Sequence, residues 1–380
     1  MGWSWLTNYT YTWRFVRNVV LKASILFLLC NVVYAALEPL PFLSRLTFYN
    51  FIVAGRERLP FSQDPKNDYN ISLHRIEGMF ASHVIQKPKA DDEFRVLLIG
   101  DSSVWGWLLE PDQTLSACIN AQDYHTIDGR RVVAYNLGYP VLSAFKDMMI
   151  LEEGLKHDPD AIIWIFTLQS LLDFEQLRHP ITGNNPDRAL NLIEKYQLNL
   201  DSDQLLLDKT FLEKSIFGER RELADLLRHQ IYGLAWMITH VDHTNPVFYE
   251  ARADNLLADD GLLRESGDTQ TMRIAWDVVD AVWQMTQAQD VPLLMINGPM
   301  YRAGGQNSDI RYNSYYPRWA YDEYREQLLN RAEQLNWTLW DAWDAIPNDQ
   351  FTDTPFHYTP EATCQFATQI GTQIVSLAQS

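Results

Sequence analysis

The sequence predicts an α/β protein in which helices cover both faces of a parallel sheet, with a membrane-crossing helix ahead of it. Three observations lead to this prediction. From residue 94 onwards, short apolar runs alternate with longer segments of helical spacing. One long apolar segment lies near the N-terminus. Residues 171–267 break the alternation with a stretch rich in Leu, Asp, Glu and Arg, which we interpret as a mainly helical insertion.

The N-terminal apolar segment covers residues 19–37. As a helix, its nineteen residues would span about 28 Å, close to the roughly 30 Å hydrocarbon core of a bilayer. Arg14 and Arg17 precede it, which favours an N-terminus in the cytoplasm and the rest of the chain outside. Arg45, Arg56 and Arg58 follow the segment and weaken this asymmetry of charge. Two alternatives stay open: a signal peptide whose cleavage leaves a secreted protein, and a buried core helix.

Residues 41–89 are predicted to be an interfacial or linker segment. Their first part, up to Arg56 and Arg58, is rich in aromatic and apolar side chains. That composition is typical of a segment lying in a membrane interface. A strap packed on the soluble domain has the same composition, so both interpretations stand.

Five apolar runs have the length and composition of strands buried on both faces of a sheet. They are residues 95–99, 131–135, 161–166, 291–296 and, with a weaker pattern, 337–340. Helical spacing is found at residues 113–120, 144–156, 271–289, 317–335 and 359–378, and within the insertion at 220–239. The insertion is compatible with a lid, with a partner surface, and with filler that thickens the fold.

The composition excludes some functions. With 31 Lys and Arg against 49 Asp and Glu, the formal net charge is −18, so the surface would repel nucleic-acid phosphates. Three cysteines are too few for a disulfide framework, and they lack metal-site spacing. Cys30 lies in the apolar segment, so at most Cys118 and Cys364 can pair. No metal or organic cofactor is predicted.

Residues 100–106, Gly-Asp-Ser-Ser-Val-Trp-Gly, follow the first predicted strand directly. Ligands of open α/β sheets bind at the carboxyl ends of strands, so Ser102 would be presented at the sheet edge. A serine hydroxyl needs a base to become a nucleophile. The best candidate is His357, just before the last helix, with Asp353 close enough to hold its imidazole on a short loop. A capping turn and a structural histidine are the alternatives for these motifs.

These motifs resemble those of the SGNH/GDSL hydrolase superfamily. The resemblance implies a flavodoxin-like three-layer α/β/α fold, activity on ester or acyl groups, and Ser102 as the nucleophile whose N–H is the first oxyanion donor. It also implies the N–H of Gly138, within an Asn-x-Gly motif, as the second donor and the amide of Gln169 as the third. The chain departs from the family twice: Gln169 stands where the family has asparagine, and three residues instead of two separate Asp353 from His357.

A loop after the fourth predicted strand adds candidate substrate contacts. Residues 312–321 are rich in aromatic side chains and leave the carboxyl end of a strand. We predict that Tyr316 and Trp319 stack on sugar rings or acyl chains and that Arg318 holds an anionic group. Packing of this cluster beneath the insertion is the alternative.

The predicted organisation is a cytoplasmic N-terminus and anchor (1–40), the interfacial or linker segment, a catalytic domain (90–170 and 268–380) and the insertion (171–267). The family resemblance implies a membrane-anchored serine esterase or O-acyltransferase acting outside the cytoplasm on acyl esters of envelope or exported glycans. The expected partners are that substrate and the membrane, through residues 19–37, but not nucleic acid. The two departures motivate the alternative of a catalytically weak module that serves in binding or assembly at the membrane.

Overall fold

The five apolar runs form one parallel sheet. Its strands are β1 Glu93–Ile99, β2 Arg131–Asn136, β3 Ala161–Phe166, β4 Leu293–Asn297 and β5 Thr338–Asp341. Their order across the sheet is β2-β1-β3-β4-β5, and every neighbouring pair is parallel. This is the flavodoxin-like order, in which the winding reverses between β1 and β3 and leaves a crevice at the carboxyl ends of those strands. The predicted fold class is confirmed.

The computed structural model describes residues 12–205, 209–246, 248–259, 263 and 272–378. Its helices, in chain order, are α1 Trp13–Leu37, α2 Leu40–Ser44, α3 Ile76–Ala81, α4 Ser102–Trp105, α5 Leu115–Ala121, α6 Ala144–Gly154, α7 Leu168–Leu171, α8 Pro180–Asn184, α9 Pro186–Tyr196, α10 Arg220–Thr239, α11 Trp276–Gln287, α12 Arg318–Leu335 and α13 Pro360–Leu377. The predicted helices match α5, α6, α11, α12, α13 and α10. Residue 271, the predicted start of α11, lies outside the described residues, as do residues 1–11 of the predicted N-terminal segment.

The strands are apolar along their length because the sheet is covered on both faces. In β1, Leu97 and Ile99 join a core that includes Met148 of α6 and residues of α11 and α12. Val96 and Leu98 point the other way, into a second core formed with α5 and α13. Successive side chains of a strand alternate between faces, so two covered faces require a continuous apolar run.

A disulfide between Cys118 of α5 and Cys364 of α13 joins the two helices that cover one face of the sheet. The two cysteines are 246 positions apart in the sequence. They are the pair that the sequence analysis left possible, whereas Cys30 is free and exposed on α1.

Replacing both disulfide cysteines, Cys118→Ser with Cys364→Ser, is expected to lower the free energy of unfolding by about 2–5 kcal/mol, because a cross-link over a long loop restricts the unfolded chain. Chemical denaturation under non-reducing conditions measures this change. Cys30→Ser is the matched control and should leave the unfolding midpoint in place. An unchanged midpoint in the double variant would show that the cross-link contributes nothing.

Helix α1 is long and apolar enough to cross a membrane, and only 11% of its most apolar window is buried. The core-helix alternative for residues 19–37 therefore does not hold. The segment that follows divides in two. Phe42 and Phe51 are exposed, whereas Leu59 and Phe80 are buried in the core, so its second part packs on the domain as a strap.

Candidate active site

Ser102 is the first residue of a short helix at the carboxyl end of β1. The Asp101 carboxylate caps this helix, accepting a hydrogen bond from the Ser103 N–H at 2.8 Å. Gly106 ends the helix with a φ of +93°, a backbone conformation that residues other than glycine rarely adopt. The sequence Asp-Ser-Ser-Val-Trp-Gly therefore forms one helical turn, which presents Ser102 at the crevice between β1 and β3.

The structure brings Ser102, His357 and Asp353 together across 255 positions of sequence. Ser102 Oγ lies 2.8 Å from His357 Nε2, and His357 Nδ1 lies 2.8 Å from Asp353 Oδ1. A carboxylate only accepts hydrogen bonds, so the imidazole places its proton on Nδ1. Nε2 is then free to accept the serine proton, which is the arrangement of a nucleophile, its base and an orienting acid.

The loop carrying His357 closes on itself, which explains how the longer Asp-to-His spacing is accommodated. Phe351 and Tyr358 form a β-bridge, and the Thr352 N–H donates to the His357 carbonyl at 2.9 Å. Asp353 and His357 thus stand at the two ends of a narrow turn, with their side chains in contact. The additional residue relative to the family pattern is absorbed within that turn.

Asp353 remains ionised in this environment. Burial by itself would raise the pKa of Asp353, but the hydrogen bond from His357 and the positive charge that His357 can carry lower it overall. The Thr352 hydroxyl donates a further hydrogen bond to Asp353 at 3.1 Å. On the other side of the site, the indole of Trp107 stacks on the His357 ring with centroids 5.6 Å apart.

The loop after β2 differs from the prediction. The Gly138 N–H donates to Asn136 Oδ1 at 3.1 Å, and a Cβ at Gly138 would lie 2.4 Å from the Trp105 nitrogen. Asn136 Nδ2 in turn donates to the Val104 carbonyl at 2.8 Å. Asn136 and Gly138 therefore hold helix α4 in place. This geometry does not support the predicted donor role of Gly138, because its N–H is already engaged.

Val141, three residues further on, is a feature that the sequence did not indicate. It has a φ of +77°, which is strained for a β-branched residue, and its side chain is 56% exposed. Its N–H has no hydrogen-bond partner among the described residues, and the same holds for the N–H of Ser102. The loop lies beside the end of β1, since the Tyr139 N–H donates to the Gly100 carbonyl. The Val141 N–H is thus an unengaged donor in the loop that follows β2.

Gln169 lies in α7, directly after β3, at the same edge of the sheet as Ser102. Its backbone N–H donates a hydrogen bond to Oη of the buried Tyr316 at 3.0 Å. Within the described part of the chain, the Gln169 side-chain amide makes no hydrogen bond, so it can still donate to a ligand.

Of the three predicted substrate contacts, only Tyr316 is fully buried, whereas Arg318 and Trp319 are partly exposed and their contact with substrate stays a prediction. Tyr316 is 1% exposed, and its hydroxyl bonds to Thr167 as well as to Gln169, so the prediction that it stacks on substrate was wrong. The Arg318 Nε donates to the Ser308 carbonyl, and its guanidinium lies over the Tyr312 ring at 4.2 Å. Trp319 is partly buried against the core.

Tyr315 is the member of this aromatic loop that borders the site. Its ring packs edge-on against Phe356, the neighbour of His357, at 5.2 Å. Burial raises the pKa of Tyr315, and the negative charges of Asp353 and Asp101 raise it further. A run of consecutive aromatic residues does not show in the sequence which of its members borders the site.

Two buried cations brace the loops around Ser102, and the sequence indicated neither. The fully buried Lys146 donates to the carbonyls of Gly100 and Tyr139, at 3.0 and 2.6 Å, and pairs with Asp147. Arg58, 2% exposed, donates to the carbonyls of Gly106 and Leu109 and forms a two-point ion pair with Asp242. Lys146 thus joins the loops after β1 and β2, and Arg58 holds the chain just after α4.

Replacing Arg58 with leucine is expected to lower the free energy of unfolding by about 3–5 kcal/mol, because it leaves the Asp242 carboxylate buried without a partner. Urea denaturation provides the measurement. Lys156→Leu is the matched control: Lys156 pairs with Glu153 but is half exposed, and its loss should cost about 1 kcal/mol or less. Equal effects of the two substitutions would contradict the structural role of Arg58.

The fold and the site together define a class: a flavodoxin-like α/β/α protein with a serine–histidine–aspartate chain of hydrogen bonds at the carboxyl edge of its sheet. No family model matches the sequence, and no curated protein is significantly similar to it.

Solved structures similar to this chain include esterases and a lipase. The native aryl esterase of M. smegmatis matches with a TM-score of 0.36 and 12% identity, over 74% of this chain and 99% of that one. A carbohydrate acetylesterase from Sinorhizobium meliloti matches with a TM-score of 0.34 and 12% identity, over 74% of this chain and 99% of that one. A GDSL-like lipase from Bacteroides thetaiotaomicron matches with a TM-score of 0.37 and 8% identity, over 76% of this chain and 92% of that one. Similarity at this level does not carry an activity over to this chain, which has to be argued from the site.

Proposed function

We propose that the protein is a membrane-anchored serine esterase or O-acyltransferase. The observation that carries the proposal is the pair of 2.8 Å contacts that link Ser102 Oγ to His357 and His357 to Asp353. Such a chain of hydrogen bonds makes a serine hydroxyl nucleophilic, and a single-residue shift of either loop would break it.

The proposed reaction begins when Ser102 Oγ attacks the acyl carbonyl carbon while its proton passes to His357 Nε2. The carbonyl electrons move onto oxygen, and the oxyanion accepts hydrogen bonds from the Ser102 N–H and the Gln169 amide. The tetrahedral intermediate then expels the alcohol, which takes the proton from His357 and leaves an acyl group on Ser102. Water or a second hydroxyl attacks next, with His357 again accepting and returning the proton, so the product is a carboxylic acid or a new ester.

Two features support a site of action outside the cytoplasm, and a third supports envelope or exported glycans as the substrate. The Cys118–Cys364 disulfide is of the kind that forms and persists in oxidising compartments. The positive charges of Arg14 and Arg17 ahead of α1 favour retention of the N-terminus in the cytoplasm. Trp107 and Tyr315 offer aromatic surfaces beside His357 on which a sugar ring can stack.

The test is covalent labelling of the full chain with a fluorophosphonate, followed by mass spectrometry of the modified peptide. We expect one labelled serine, Ser102. The matched control is Ser103→Ala, because Ser103 is adjacent but its hydroxyl faces Tyr358. This control should still be labelled, whereas Ser102→Ala should not. Adding hydroxyl acceptors and measuring the ratio of acid to new ester then separates hydrolysis from transfer.

The engaged N–H of Gly138 favours a second candidate function, a catalytically weak module that binds or assembles at the membrane. An oxyanion site that lacks one donor loses about 10²–10³ in rate. Well-folded protein that no fluorophosphonate labels would favour this candidate over the enzyme.

A further inference from the structure

Helix α10 has two different long faces. The inner face packs on the domain: His229 and Gly233 are buried, and Glu222 pairs with Arg75. The outer face is a stripe of large apolar side chains at helical spacing, namely Leu227, Ile231, Leu234 and Ile238, which are 63%, 55%, 42% and 76% exposed. Positions separated by three, four and seven residues lie on one side of a helix, so these four side chains form a continuous ridge.

The segment leading into α10 lies beside the last two turns of α1. Asn31 Oδ1, within the apolar segment of α1, accepts a hydrogen bond from the Phe217 N–H at 3.0 Å. Tyr34 donates to Glu219, and Lys214 pairs with Glu38 at the end of the helix. Asn31 precedes the last residue of α1 by six positions, which corresponds to about 9 Å along the axis.

These contacts place apolar side chains of the insertion at the depth of the anchor. If α1 crosses a bilayer, Phe217 lies below the level at which the anchor emerges. Phe217 is 55% exposed, and Phe211 and Leu212 in the same segment are 55% and 65% exposed. The contact with Phe217 also supplies the polar partner that Asn31 needs in an apolar environment.

The chain that leaves the anchor adds a second strip of apolar side chains beside α10. Gln230 Oε1 accepts hydrogen bonds from the Phe48 N–H at 2.8 Å and the Thr47 hydroxyl at 3.0 Å, and the Tyr49 hydroxyl donates to the His229 carbonyl. The exposed apolar side chains of this strip are Phe42, Leu46, Phe48, Phe51 and Ile52.

We propose that these three elements form a lipid-binding platform that inserts into the membrane leaflet from which α1 emerges. The platform consists of the outer face of α10, the apolar side chains of residues 211–217 and those of residues 42–52. The bilayer is the occupant because the platform is continuous with the anchor through the contacts at Asn31, Tyr34 and Glu38. An apolar surface of this extent is costly to leave in water, and amphipathic helices of this kind lie in membrane interfaces.

The platform would hold the domain in one orientation on the membrane. Arg58, a few residues after the strip, donates to the carbonyls of Gly106 and Leu109 in the loop that follows α4. Arg58 therefore connects the chain that leaves the strip to the loop that follows α4. The proposal uses α1 as a membrane-spanning helix, which is part of the proposed function, but it does not depend on catalysis.

The test measures the depth of single fluorescent labels on the full chain in vesicles of phosphatidylethanolamine and phosphatidylglycerol. A nitrobenzoxadiazole label is attached at Ile238→Cys in a Cys30→Ser background, since Cys118 and Cys364 are joined in a disulfide. The matched control is Ile127→Cys, because Ile127 is an isoleucine of the sheet domain with similar exposure, 82% against 76%. Labelling of Cys30 itself, in the otherwise unchanged chain, reports separately on insertion of the anchor.

We expect lipids spin-labelled near the headgroup to quench the Ile238 label several-fold more strongly than the Ile127 label. Equal, weak quenching of both, with the Cys30 label quenched by deep spin labels, would overturn the platform while leaving the anchor intact. A Cys30 label that is not quenched would overturn the anchor and the platform together. An Ile238 label that is shielded from aqueous iodide but unquenched by lipid, in protein that is dimeric, would assign this face to a second copy and also overturn the proposal. A fluorophosphonate reaction on the same samples reports on the proposed function independently.

Discussion

Ser102→Ala is expected to lower the rate of hydrolysis of a soluble aryl acetate by at least about 10³-fold, because it removes the atom that forms the acyl-enzyme. The substitution should not affect folding, since Ser102 is partly exposed and its hydroxyl bonds only to His357 among the described residues. Initial rates of the purified full chain measure the effect, and the thermal unfolding midpoint verifies that the variant is folded.

His357→Ala should have nearly the same effect as Ser102→Ala, and the double variant should be little worse than either. Residues that act as one unit in catalysis show this non-additivity. Ser103→Ala serves as the control and should keep the wild-type rate. Independent, multiplying effects of the two substitutions would mean that Ser102 and His357 do not act together, and the esterase mechanism would fail.

Asp353→Asn is expected to lower the same rate by about 10²–10⁴-fold. An asparagine amide can donate to His357 Nδ1, which would move the imidazole proton to Nε2 and leave no acceptor for the Ser102 hydroxyl. The matched control is Asp349→Asn, an exposed aspartate of the same loop. Full activity of Asp353→Asn would show that a backbone group orients the imidazole and that a serine–histidine dyad is sufficient.

Asp353 also predicts a dependence of stability on pH. Its folded-state pKa is lowered, so the stability that its charge contributes is complete above the unfolded-state value of about 3.9. This contribution is lost as the pH falls through the lower folded-state value. Unfolding midpoints measured on either side of this range should therefore show a larger acid-induced loss for the wild type than for Asp353→Asn.

The sheet and the nucleophile–base pair could be predicted from the sequence because each depends on local signals. A strand covered on both faces is a continuous apolar run, as in residues 161–166, and its bounds follow from the run itself. Ser102 and His357 each adjoin such an element, one after β1 and the other before α13. Parallel strands bring their carboxyl ends to one edge, and the resemblance of the two motifs to those of the hydrolase superfamily implies that they meet there.

The residues around that pair could not be predicted, because their roles depend on contacts between distant segments. Tyr316 and Tyr315 are adjacent and chemically identical, yet one is buried against Thr167 and the other borders Asp353. Lysine is usually a surface residue, and Lys146 becomes a buried donor only because the loops after β1 and β2 converge on it.

The sequence by itself determined the layered fold, the long apolar helix and the serine, histidine and aspartate that meet, since hydrophobic period, strand order and short motifs are all local. Only the tertiary structure decided that Gly138 is engaged by Asn136, that Tyr316 supports Gln169, and that the segment leading into α10 lies beside α1. The physical reason is that a buried polar group bonds to whichever partner the fold brings near, and an apolar face is covered in the same way. Such pairings between distant segments leave no periodic pattern in the chain.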